Sequence, residues 1–582
     1  MNFPSRAIGR NHIRRWLPVV FAALLGGLWL TAQQAPPPGL PATVLRVTTR
    51  LVLVDVVVTD KKGQPVTDLT REDFTLLEDG KSQRIATFSL EQPLRGAQER
   101  PAPPPLPPHV YTNRPEHRMP PGPLTILLLD ALNTPLRDQP YVREQMLRYL
   151  DTQLKPNQRT AALALVNGLL VLQDFTADPA LLRTALENYR SQKSAQLSQE
   201  KEGPILEIPP EIAALAPQVV ANIERFEMEV ATAARDARVQ LTLGALRAIA
   251  RAVAGYPGRK NLVWVSGAFP FTIVPEQSDD YDLFRSYARQ MRRTANILAD
   301  AQVAVYPVDA RGLVGYTMAD ASESGRNRFG LARAGAEFGE ELTRRNLELV
   351  STHQTMNQVA ADTGGRAYYN RNDIDAAVAL SVADGSTYYT LGFYPEKKDW
   401  DGEFRRLQVK LARKGLRIRH RRGYYALDPT EQQMEDAQGK EQELLAALSN
   451  PLPATVITFL ARIRPPQPAA HAQVQVEFLV DAHTLAFEEI RESRRRCDVD
   501  FLVAAFSPEG KVVASSSRTL GAALPPETYA RFRRNGLPFR MPLELEPGRY
   551  QLRLVVRDNR TGLLGATTVP LVLETPENPS SH

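Results

Sequence analysis

The hydrophobic pattern of the chain changes period several times, and each change marks a new element. Leu124 to Leu129 are apolar apart from Thr125, and the run ends on Asp130. A short apolar run bounded by turn signals predicts a strand buried on both faces, as in parallel sheets. Tyr141, Met146, Leu147, Leu150 and Leu154 then follow at helical spacing, and Lys155-Pro156-Asn157 stops that helix. Thr160 to Val166 and Leu169 to Phe175 flank Asn167-Gly168, a strong hairpin signal that adds one antiparallel strand. Asp178 to Tyr189 predicts a helix with Pro179 in its first turn. Further helices are predicted over Leu241 to Ala254, Asp282 to Leu298 and Asp373 to Leu380. Buried strands are predicted over Asn261 to Val265, ending at Ser266-Gly267, and over Ala301 to Val308, ending at Asp309. Met356 to Ala361 reads as a helical turn leading to Gly364-Gly365 and a short strand at Arg366 to Tyr369. Thr387 to Tyr394 and Arg405 to Leu411 read as a closing β pair, finishing near Tyr424-Tyr425. The sum is an α/β domain with a mostly parallel sheet and one antiparallel edge strand.

The flanks have other periods. Residues 43–92 alternate in short runs, with turns at Thr59 to Gly63 and Glu78 to Lys81, and predict a small β module. Residues 33–42 and 93–122 are Pro-rich linkers; the latter contains PAPPPLPP. The α/β domain spans 123–426, with insertions near 191–235 and 314–348, the first carrying a helix over Gln218 to Asp236. Long insertions in a compact domain are more often functional than inert. Residues 427–452 predict a helical connector, 453–575 a C-terminal β-sandwich, and 576–582 a tail.

The N-terminus sets the compartment. Arg6, Arg10, Arg14 and Arg15 precede the uncharged run Trp16 to Leu30, and Thr31-Ala32 offers a small-residue cleavage site. At 15 residues the run is shorter than the ~20 of a membrane helix. Residues 1–32 are therefore expected to be a signal peptide, with export to the periplasm or beyond; an uncleaved anchor is the alternative. Removing these four Arg takes the net charge from +6 to +2, which gives no electrostatic case for nucleic-acid binding. The single Cys497 excludes an intrachain disulfide and is expected to be a small buried residue.

Asp130 ends its strand where open α/β sheets place ligand sites, and Asn133 and Thr134 follow it. A carboxylate with nearby hydroxyls suits a hard cation such as Mg2+ or Mn2+. The competing reading is a structural one, with Asp130 capping the loop or the following helix.

The order strand-Asp130, helix, Asn-Gly hairpin, helix, strand-Ser-Gly, helix, strand, Gly-Gly turn resembles a von Willebrand factor A-type (VWA) domain. More narrowly, the chain resembles exported bacterial VWFA-related proteins. The segments that carry this are LVLVDVVVTDKKGQPVTDLTREDFTLLEDG, KNLVWVSGAFP, VYPVDARGL, ADTGGRAYY, TYYTLGFYP and RRGYYA. The resemblance covers about Val44 to Ala426 and implies a Rossmann-like fold with a metal-ion-dependent adhesion site. Its usual pattern is Asp-x-Ser-x-Ser, a Thr in a later loop and an Asp in a Thr-Asp-Gly turn. Asp130 matches the first Asp and Thr134 the last hydroxyl, while Leu132 replaces the middle Ser and Val265-Ser266-Gly267 lacks the second Asp. The ligand set this implies is Asp130, Asn133, Thr134, Ser266 and Thr242. With one carboxylate, Mg2+ or Mn2+ binding is expected to be weak or absent.

Catalytic constellations are missing from the sequence. The eight His show no metal-ligand spacing, and there is no His-Glu-x-x-His, Gly-x-Ser-x-Gly, Walker or dinucleotide-binding loop. The expectation is an exported, non-enzymatic VWA-domain protein binding a protein or cell-envelope partner. The alternatives are an exported hydrolase with an atypical metal site or Ser266 as nucleophile, and a membrane-anchored scaffold.

Overall fold

The computed structural model describes residues 51–92, 103–117, 123–154, 158–197, 217–269, 281–312, 346, 349–427, 444–445, 447–464, 473–490 and 493–573. The expected signal peptide, the 33–42 linker, the 314–348 insertion apart from residue 346, most of the connector and the tail lie outside these residues.

The first strands are β1 (Val52–Thr59), β2 (Phe74–Glu78), β3 (Lys81–Gln83), β4 (Ile85–Glu91) and β5 (Val110–Thr112). The α/β layer follows with β6 (Leu124–Asp130), α1 (Gln139–Thr152), β7 (Arg159–Leu165), β8 (Leu169–Thr176), α2 (Pro179–Asn188) and α3 (Pro217–Val253). It continues with β9 (Lys260–Ser266), α4 (Tyr281–Asp300), β10 (Val303–Asp309), a helix over 349–363 (α5) and α6 (Ile374–Asp384). Four strands close the region: β11 (Tyr388–Phe393), β12 (Asp401–Leu411), β13 (Arg417–Arg419) and β14 (Gly423–Leu427).

The α/β sheet has the order β10-β9-β6-β7-β8. Its first four strands are parallel, and β8 returns antiparallel through the Asn167-Gly168 turn. The apolar run of β6 is continuous because the strand feeds two cores. Ile126 and Leu128 pack with Val239, Leu243, Leu246 and Ile249 of α3, while Leu127 and Leu129 pack with Val142 and Met146 of α1 and Val378 of α6. The chain leaves β6 toward β7 on one side and later adds β9 on the other, so the order reverses at the carboxyl end of β6. Such a reversal opens a crevice between strands.

Two expectations change here. The helices placed at Gln218 to Asp236 and Leu241 to Ala254 are one continuous helix, α3. Nothing interrupts it: after Pro217, which stands at the first position, Gly244 is the only helix breaker in the 37 residues, and its position is open space. Likewise, the strands predicted to close the α/β domain belong to the first β module. β11 pairs with β1 and β4, and β12 pairs with β2 and β14. Two four-stranded sheets, β13-β1-β11-β4 and β14-β12-β2-β3, therefore form a sandwich into which the α/β layer is inserted. Val52, Val54, Val56 and Val58 alternate inward from β1 and meet Leu391, Phe393, Leu407 and Val409.

The C-terminal region folds as two further sheets, of six and four strands, around a core that includes Phe459, Val476, Phe501, Val503 and Leu554. Cys497 is buried in that core, and burial pushes its thiol up. The Pro-rich linker contributes to this unit, since β5 pairs with Phe459–Arg464. Beside β5, Asn113 donates to the carbonyls of Ala454 and Ile457 at 2.7 Å and accepts from Phe459 N at 2.9 Å. Asn113→Ala strands two carbonyls and one N–H in a fully buried place, and is expected to cost about 2–3 kcal/mol in chemical denaturation. A change below about 0.5 kcal/mol would show that this anchor is dispensable.

Candidate functional site

Asp130 closes β6, and Ser266 and Asp309 stand in register beside it at the ends of β9 and β10. The three side chains form a row along the carboxyl edge of the sheet. Side chains on one face of a strand recur every second residue, so Trp264 lies on the same face as Ser266, toward α3. That helix supplies Arg238 and Thr242, one turn apart.

The row is knitted by hydrogen bonds. Asp130 is 2% exposed and accepts four of them. Its Oδ1 takes the Asn133 backbone N–H at 3.0 Å. Its Oδ2 takes Asn133 Nδ2 at 2.8 Å, Trp264 Nε1 at 2.9 Å and Ser266 Oγ at 2.8 Å. Three donors thus converge on Oδ2, while Oδ1 accepts one. Burial raises the Asp130 carboxyl above its ordinary range, and the bonds from Asn133, Trp264 and Ser266 only partly offset it.

Asn133 is the hub. Its Nδ2 also donates to Thr242 Oγ1 at 3.0 Å, and its Oδ1 accepts from Arg238 Nε at 3.0 Å. Thr242 passes its own proton to the Arg238 carbonyl at 2.7 Å. Thr134 faces the other way and accepts the Gly267 N–H at 2.8 Å. The fit is close: a Cβ at 267 would stand 3.1 to 3.3 Å from Pro135 and Thr134, so a larger residue would need them to shift by a few tenths of an ångström. All five residues of the sequence-derived ligand set, Asp130, Asn133, Thr134, Thr242 and Ser266, thus gather at one edge.

Together they do not fit a divalent cation as arranged. Mg2+ and Mn2+ need free oxygen lone pairs. Here Asp130 Oδ2 already receives three donors, Asn133 presents its NH2 group to Asp130 and Thr242, and a guanidinium stands behind it. Among the described residues no group of three or more His, Cys, Asp or Glu is placed to hold a metal.

The nucleophile reading of Ser266 fares no better. Its single hydroxyl proton has two acceptors in reach, Asp130 Oδ2 at 2.8 Å and the Ala268 carbonyl at 2.6 Å. A serine nucleophile needs a base that accepts this proton, usually His. The nearby His353 instead sits 3.4 Å from Asp309 and stacks on Tyr369. Asp309 also takes two bonds from Arg311, at 2.9 and 2.7 Å. Burial alone would raise its carboxyl, but the partners His353 and Arg311 outweigh it and hold it low. Asp309 therefore serves as an anchor for the loop after β10.

Sequence reasoning missed Trp264 and Arg238. The period-2 rule from Ser266 identifies the first. The second is visible as Arg238 and Thr242, two polar residues one turn apart beside the apolar positions Val239, Leu243 and Leu246.

No protein-family model matches the chain, and no curated protein matches it. Among solved structures, an aerotolerance-related membrane protein from Bacteroides fragilis is similar at 12% identity, over 45% of this chain and 98% of its own, with a TM-score of 0.23. BatB from Bacteroides thetaiotaomicron gives 12% identity, the same coverage and 0.22. A von Willebrand factor type A protein from Catenulispora acidiphila gives 9% identity over 86% of this chain and 76% of its own, with 0.22. At such TM-scores these likenesses carry no argument; the architecture rests on the chain's own strand pairings.

Proposed function

We propose that this chain is an exported, non-enzymatic VWA-type protein that binds a protein or cell-envelope partner through the loops at the carboxyl edge of its α/β sheet. The observation that carries this reading is the row Asp130, Ser266, Asp309, whose side chains are all engaged in hydrogen bonds within the protein. A rigid sheet edge that presents fixed loops is a recognition device, and catalysis would need at least one of these groups free. Leu136, 45% exposed, and Arg137 lie on the loop just beyond Asp130 and are the contact positions proposed here. Among the described residues no helix is long and apolar enough to cross a membrane. Removal of residues 1–32 on export is part of the proposal, and intact mass of the mature chain checks it.

The test is a photo-crosslinking amino acid at Leu136 or Arg137 in the exporting cell, with Lys410 on the far sandwich as control. The proposal expects a discrete adduct from the edge positions and none from Lys410. The isolated partner should then bind at least about tenfold more weakly to Leu136→Asp, a loss of 1.4 kcal/mol or more. Saturable ester or peptide hydrolysis abolished by Ser266→Ala would contradict the reading in favour of the hydrolase.

A further inference from the structure

We infer that Arg238 is the built-in cation of the carboxyl edge: its guanidinium stands in for a divalent ion and holds the oxygen set of Asp130, Asn133, Thr242 and Ser266 shut. The inference is independent of which partner the edge binds.

Arg238 is 2% exposed. A charge so deeply buried persists only where polar partners receive it. Its Nε donates to Asn133 Oδ1 at 3.0 Å, and the opposite end of that amide donates to Asp130 Oδ2 at 2.8 Å. Asn133 thus joins the guanidinium to the carboxylate. The reverse orientation of the amide would set Oδ1 against the Asp130 carboxylate and NH2 against the Arg238 N–H. Both contacts are repulsive, so Arg238 and Asp130 together fix which end of Asn133 faces inward. They thereby place a donor where a metal would need an acceptor.

The helix adds to this lock. Thr242 gives its proton to the Arg238 carbonyl at 2.7 Å, which leaves its oxygen to accept from Asn133. Val239, Leu243 and Leu246 fix α3 against the sheet, so the guanidinium is delivered by a rigid element. Without Arg238, Oδ1 loses the donor that holds it outward, and a divalent ion beside Asp130 can draw it inward. The edge then offers one carboxylate, one amide oxygen and the hydroxyls of Thr242 and Ser266, an all-oxygen set of the kind Mg2+ and Mn2+ take. A guanidinium keeps its charge at every physiological pH, so the substitution works without metal supply.

The experiment compares the thermal midpoint of the intact chain with and without millimolar Mn2+ in the wild type, in Arg238→Met and in the double variant Arg238→Met/Asp130→Asn. A ligand that binds only the folded state raises the midpoint. The expected result is no Mn2+ response in the wild type, a rise of a few degrees in Arg238→Met, and no rise in the double variant. In Arg238→Met, Mn2+ should also quench Trp264, whose indole N–H donates to Asp130. If Arg238→Met does not fold, Arg238→Gln serves in its place. A wild type that responds to Mn2+ as strongly as the variant would overturn the inference, as would the absence of any response in both.

Discussion

Asp130→Ala is expected to destabilise the protein by about 3–5 kcal/mol in urea unfolding. The substitution removes the acceptor of the Asn133 N–H and of the Trp264 indole N–H, both buried. It also leaves Arg238 without the carboxylate that Asn133 links it to. Ser266 suffers least, because the Ala268 carbonyl still receives its proton. The pH dependence has a defined sign. Burial raises the Asp130 carboxyl above 3.8 in the folded state, so the unfolded chain ionises first. The contribution of this group is therefore greatest in acid and falls as pH rises through the interval above 3.8. Asp130→Ala should lack that slope, and a variant within about 1 kcal/mol of wild type would show that the edge does not depend on its carboxylate.

Lys260→Met is expected to change how stability depends on pH rather than simply to lower it. Lys260 begins β9 at the opposite edge of the sheet and is 1% exposed. Its Nζ donates to the Ala301 carbonyl at 2.9 Å. Burial pushes its pKa from 10.5 down to about 7, with Asp55 pulling the other way. Asp55 belongs to β1 and accepts from Gln302 and Thr390, so the lysine lies near the junction of the α/β layer with the first sandwich. Between pH 7 and 10.5 the unfolded chain holds a proton on this amine that the folded chain has lost. Wild-type stability should therefore rise with pH across that window, by up to about 1.4 kcal/mol per pH unit and about 5 kcal/mol in total. Below pH 7 both states are protonated and the contribution is flat. Lys260→Met removes the slope, so the stability difference between the two chains, measured by urea unfolding from pH 6.5 to 9.5, should grow with pH in favour of wild type. Parallel curves would contradict the burial argument.

The α/β layer was largely legible from local pattern. The two-sided burial of β6 and β9 shows as unbroken apolar runs, and the Asn167-Gly168 turn shows the hairpin to β8. The first sandwich was not legible. β1 carries a clear inward alternation, but its partner β11 lies more than 300 residues further along the chain, and period alone names no partner. For the same reason the three residues of β5 read as linker until Phe459–Arg464 pairs with them. At the edge, the oxygen-bearing residues were readable from Asp130 and its loop. The orientation of Asn133 was not, because it is set jointly by Asp130 and by Arg238 and Thr242, which arrive from a helix more than 100 positions away in sequence.

The central claim is that hydrogen bonds within the protein, and no metal ion, close the carboxyl edge. A calorimetric titration of Mg2+ into the intact wild-type chain at neutral pH, with Asp130→Asn beside it, tests this most directly. The account predicts only heats of dilution from both chains. Saturable binding by the wild type that Asp130→Asn abolishes would contradict it.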